Sequence, residues 1–115
     1  MTKRNTKLRV FEGAVLFLLL VFGSSSFADE LKMGKMIYQS SCLQCHGERG
    51  DGNGPEAVNY DPRPTNFASS QMSALTDPMI EKAVVVGIPA LSTHTWGTRL
   101  SNAEVAAVIR YIRAF

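Results

Sequence analysis

Cysteine is scarce in this chain: 115 residues hold two, Cys42 and Cys45, three positions apart. A disulfide between them would close a tiny loop and constrain little of the unfolded chain. No cross-link can staple the fold. Histidine is as scarce, with His46 and His94 alone, and Trp96 is the single tryptophan. A glycine-rich stretch, GERGDGNG at 47–54, has no Gly-Lys-Ser/Thr and no preceding run of β-branched residues. That excludes a phosphate-binding loop. Internal repeats are absent. Past position 28 there is no run of basic residues, so nothing points to nucleic acid or an anionic membrane surface.

The amino-terminal stretch is unlike the rest. Lys3, Arg4, Lys7 and Arg9 come without an acid, residues 10–22 are apolar except Glu12 and Gly13, and Ser26 and Ala28 are small. Basic, apolar, then small-x-small is the order of a secretory signal peptide. The apolar run of 13 residues falls short of the roughly 20 that a spanning helix needs. Residues 1–28 are therefore expected to be a cleaved signal peptide, and 29–115 the single mature domain. Four of the 12 basic residues and one of the 10 acids precede position 29, leaving eight and nine and a formal charge of −1. The basic balance of the whole chain belongs to its leader. The 87 residues that remain of 115 are near the lower limit for a self-sufficient core, and such domains often lean on a metal or cofactor.

The mature part reads as helices and loops. Leu31 to Leu43 is expected to be helical, with Leu31, Gly34, Ile37 and Tyr38 at helical spacing. Met33 and Met36 are expected to pack beside them in the core. Residues 47–75 read as one long loop. Asp77-Pro78 opens a second helix, with Asp77 accepting from free end amides and Pro78 in the first turn. Ile80, Ala83 and Val84 form its stripe, and Gly87 ends it. Val84-Val85-Val86 could form a strand, but no partner strand is evident and helix is preferred. Ser101-Asn102-Ala103-Glu104 is a capping box, with Leu100 and Val105 as a hydrophobic staple. Val105, Val108, Ile109 and Ile112 make one apolar stripe. Arg110 and Arg113 fall where the helix dipole favours cations.

The chemistry sits in Cys42-Leu43-Gln44-Cys45-His46, a C-x-x-C-H sequence that signals covalent attachment of a c-type haem. Two thiols three apart lie on one helical face and reach the two vinyl groups of one porphyrin. His46, next in line, ligates the iron. A thioredoxin-like dithiol would need a βαβ context. A zinc site would need two further ligands, with His94 the one obvious candidate. Haem would also supply the core the chain lacks.

From these residues onward the chain resembles the small monohaem class I cytochromes c of bacteria, over nearly all of 30–115. The resemblance rests on GKMIYQSSCLQCHG, the DGNGP that follows, Pro62-Arg63-Pro64, Gly87-Ile88-Pro89 and the ending LSNAEVAAVIRYIR. It implies an all-α fold of three to four short helices wrapped around one covalent haem, with long irregular loops and no sheet. Export through the signal peptide makes the periplasm the expected location. The resemblance matches Gly34 and Tyr111 to the crossing of the first and last helices. It also implies a backbone carbonyl that orients His46, with Pro55 the matching marker, and Arg63 and Trp96 as partners of the haem propionates.

That family usually takes its sixth iron ligand from a methionine in a segment resembling G-I-P-G-T-x-M-P-x-W. In GIPALSTHTW, Thr93 falls at the methionine and His94 at the following proline. Threonine is a poor iron ligand. The sixth position then belongs to His94 after a one-residue adjustment, to Met72 or Met79, or to no side chain. His94 is the leading expectation, since imidazole binds iron well. With both axial sites filled, the protein is an electron carrier and not an enzyme. It would meet redox partners through small, transient interfaces, with no membrane span after cleavage. Nothing marks a peroxidase, neither a distal arginine nor a second distal histidine. An open sixth site would instead make it a binder or sensor of small ligands. A third possibility is a haem subunit docked on a larger oxidoreductase.

Overall fold

The computed structural model describes residues 27–88 and 94–115; the rest of the expected signal peptide, Pro89 and Thr93 lie outside them. Residues 27–37 are α-helical (α1) and run into a π turn, Tyr38–Cys42, then α2, Leu43–His46. A 3-10 turn covers Ala57–Asn59. Helices α3 (Ser70–Ala74), α4 (Asp77–Val85) and α5 (Asn102–Ile112) follow. No strand longer than a single bridge occurs among the described residues. The fold is all-α with long irregular connections, as expected.

The core forms where α1 crosses α5. Gly34 sits at the crossing, and a Cβ there would strike the Ala107 carbonyl oxygen and lie 2.9 Å from Tyr111 Cβ. The pairing of Gly34 with Tyr111 is therefore real. The apolar stripe of α5 is buried as read: Val105, Val108, Ile109 and Ile112 join Ile37, Tyr38, Met72 and Ile80 in one cluster. Leu100 packs against it beside the capping box, in which Ser101 Oγ accepts from Glu104 N–H and Glu104 accepts from Ser101 N–H.

Several expectations need correction. Met36 is 57% exposed and so is not core, and Met79 on α4 is 54% exposed. Each sits on the outer face of its helix, where the spacing that buries Ile37 and Ile80 turns it outward. The 47–75 segment is not all loop, since Ser69 caps α3 by accepting from Met72 N–H at 3.2 Å. That short helix carries Met72 into the core. Thr76, not Asp77, is the N-cap of α4, and no side chain caps it.

Asp77 and Arg113 serve each other instead. Arg113 Nε donates to Asp77 Oδ1 at 3.0 Å, one terminal nitrogen donates to Met72 O at 3.2 Å, and the other to Leu75 O. Three planar donors thus tie the end of α5 to both neighbours of the α3–α4 junction. Replacing Arg113 with Ala is expected to lower holoprotein stability by about 1–2 kcal/mol, most of it from stranded carbonyls rather than the exposed ion pair. Lysine should not restore it, because one ammonium cannot copy the fork. A denaturant midpoint unchanged in Arg113→Ala would contradict this.

Candidate haem site

Four helix-end carbonyls decide the local geometry. A helix leaves its last carbonyls without intrahelical partners, and α2 ends at His46. The chain from Gly47 to Glu56 supplies every donor. Gly47 N–H reaches Leu43 O at 2.8 Å, Glu56 N–H reaches Gln44 O at 2.8 Å, Gly54 N–H reaches Cys45 O at 3.1 Å, and Gly52 N–H reaches His46 O at 2.9 Å. The approach is so close that a Cβ on Gly54 would lie 2.6 Å from Leu43 O. The glycines therefore serve the cysteine–histidine turn itself, a role that residue type alone did not reveal. Tyr38 Oη closes the other side by donating to Gly47 O at 2.6 Å.

The π turn matters for aim. Leu43 N–H reaches back to Tyr38 O, one residue further than an α-helical bond. Such turns recur at functional sites. Tyr38 points into the core with 1% exposure, while Cys42, Cys45 and His46 line one cavity. Positions i, i+3 and i+4 share a helix face. The two thiols are not bonded to each other. Burial, with a smaller contribution from Cys45, pushes the Cys42 thiol up to about 11.

His46 is held by main chain and by a ring. Its Nδ1 lies 3.1 Å from Thr65 O. A carbonyl only accepts, so Nδ1 carries the proton and Nε2 keeps its lone pair. Phe67 stacks on the imidazole with centroids 4.4 Å apart and planes inclined by 17°. Burial depresses the basicity of His46; the Thr65 bond opposes this, and His94 adds to it. A neutral imidazole is the metal-binding form. The orienting carbonyl was expected near Pro55. It is Thr65, next to Pro64, while Pro55 is exposed. The reason is Gly52: its φ of 78° and missing side chain let Pro64 O lie against it, which brings 64–65 to the ring.

His94 repeats the arrangement. Its Nδ1 lies 3.1 Å from Ala83 O, which again leaves Nε2 free. The two imidazole centroids are 6.2 Å apart, with planes inclined by 65°. Two imidazoles on opposite sides of one metal, each nitrogen near 2 Å from it, place their ring centres about 6 Å apart. Both imidazoles line two neighbouring cavities of about 220 and about 100 Å³, which share Cys42, His46, Thr65, Ile88, His94 and Trp96. The smaller is walled by core residues, among them Met72, Ile80, Val84, Val108 and Ile112. Exposed Arg63 and half-buried Trp96 line the larger, and the Arg99 guanidinium lies 5.3 Å from the Trp96 ring centre. Of the two methionines weighed as axial ligands, Met72 reaches the cavity and exposed Met79 does not. Paired thiols, two imidazoles whose Nε2 atoms are left free, and apolar walls, all on one site, together fit a haem.

A family model described as Cytochrome c matches residues 31–115. No curated protein matches the chain. The chain belongs to the cytochrome c family. Its cofactor is covalently attached haem c, its working chemistry is haem-based electron transfer, and the Cys42–Cys45 pair fits that attachment.

Proposed function

We propose that this cytochrome is an exported monohaem electron carrier with histidine in both axial positions. Cys42 and Cys45 hold the ring, His46 is the proximal ligand and His94 the distal one. The observation that carries this reading is the pair of facing imidazoles, 6.2 Å apart and each tied back through Nδ1 to a carbonyl. When bound, haem supplies an iron that gains and loses one electron. The protein's residues exclude other chemistry there. His46 and His94 each aim a lone pair inward, and the apolar wall around Met72, Ile80 and Val108 keeps water away.

A second imidazole in place of a thioether lowers the potential, since methionine raises it. The protein then suits the reducing end of a transfer chain, with transient partners. Export is supported by the basic, apolar and small-residue order of 1–28, and the periplasm is the compartment this reading proposes. The test is an absorption spectrum of the ferrous holoprotein with and without CO. The expected result is no change at neutral pH. Ready CO binding would mean a weakly held sixth site and a ligand-binding protein instead.

A further inference from the structure

We infer that the C-terminal turn of α4 is the fixture that holds His94 at the iron, with its ring plane crossed against that of His46. The inference rests on the reading of His94 as distal ligand. Like α2, α4 ends with carbonyls that its own turns cannot satisfy. Three successive ones are taken by the returning chain. His94 Nδ1–H donates to Ala83 O at 3.1 Å, Trp96 N–H to Val84 O at 3.0 Å, and Gly97 N–H to Val85 O at 3.2 Å. The axial side chain and the strand of chain behind it are thus seated on one helix end.

Two glycines make the seat possible. Gly87 has φ 88° and a Cβ there would lie 2.6 Å from His94 O and 3.0 Å from Thr95 Cγ2. A Cβ on Gly97 would lie 2.6 Å from Val85 Cγ1 and 2.9 Å from Val85 O. The seat also acts on the ligand's chemistry. A carbonyl at a helix C-terminus carries the negative end of the dipole, and an Nδ1–H bond to it fixes the tautomer that leaves Nε2 as the ligating atom. On the opposite side, Thr65 O and the Phe67 ring fix the plane of His46. The 65° inclination is therefore set twice over, and neither ring turns parallel to the other without giving up a bond.

Crossed planes have a spectroscopic signature. They leave the two iron orbitals that bond the imidazoles nearly degenerate, and the ferric low-spin resonance then shows one dominant g value. Parallel planes split those orbitals and give a rhombic signal. The experiment is electron paramagnetic resonance of the ferric holoprotein and CO binding to the ferrous form, for wild type and Gly87→Ala. Wild type is expected to ignore CO and to show the dominant-g signal. Gly87→Ala is expected to keep its covalent haem and helical circular dichroism, lose the dominant-g signal and bind CO. Free imidazole should then restore the six-coordinate spectrum, which it would not do for general loosening of the fold. A Gly87→Ala protein as inert to CO as wild type, with the same ferric signal, would overturn the fixture and leave His94 in place as ligand. If Gly87→Ala loses its helical signal, the wild-type resonance alone decides: a dominant g value supports the fixture and a rhombic signal overturns it. Ready CO uptake by wild type would remove the ligand assignment first, and the fixture with it.

Discussion

Without its haem, the Cys42→Ser/Cys45→Ser double variant should lose most of its helical circular dichroism. The helices after the glycine loop are too short to stand alone. α3, α4 and α5 have 5, 9 and 11 residues, and isolated helices below about 12–15 residues are marginal in water. Their stability must come from packing, and the packing is incomplete. Ile80, Met72, Val108 and Ile112 belong to the buried cluster yet also wall the smaller cavity. With haem present that wall is in apolar contact; without it, the same side chains stay out of water but line a cavity with no partner atoms. An unfilled cavity costs about 24 cal/mol per Å³, so the smaller one, of about 100 Å³, alone takes about 2 kcal/mol from the roughly 5–15 kcal/mol that a whole domain has to lose. Native helical content in the haem-free double variant would refute the view that the cofactor completes the core.

Gly34→Ala should destabilise the holoprotein by about 3 kcal/mol or more, and Gly34→Val by more still. The sign is what tests the packing. On helix propensity alone, alanine in place of a mid-helix glycine would stabilise by about 0.5–1 kcal/mol. Here the added methyl would press on the Ala107 carbonyl, whose carbon would be 2.7 Å away, and on Tyr111 Cβ at 2.9 Å. Backbone carbonyl cannot swing aside as a flexible side chain can. α1 and α5 must then separate, loosening Tyr38 from Tyr111, whose rings stand 5.4 Å apart, and from Phe115 at 5.2 Å. Denaturant midpoints of the three holoproteins would decide it, and a midpoint raised by Gly34→Ala would show that the crossing tolerates a side chain.

Much of this was legible in sequence because the signals were local. The capping box at Ser101–Glu104, the stripe of α5 and the C-x-x-C-H sequence each lie within a few turns. What escaped was set by distant partners. The carbonyl facing His46 comes from Thr65, 19 residues on, and proline spacing pointed to the wrong loop. Asp77 looked like a cap until Arg113, 36 residues away, took its carboxylate. α3 was hidden by the glycines and prolines before it, and its one strong sign was a serine at position 69. Met36 and Met79 are apolar residues at solvent positions, where residue type says little about burial.

The atoms that orient the two histidines are main-chain oxygens, of Thr65 and Ala83. A substitution scan of this protein would thus be blind where it matters most. Thr65 and Ala83 line the cavity, but small residues that keep the local backbone would leave those acceptors in place, so positions 65 and 83 should tolerate any residue of that size. The intolerant positions should be glycines that touch neither iron nor imidazole ring. Drift in a lineage would follow the same rule, with the orienting residues free to change among small side chains and the glycines beside them held fixed.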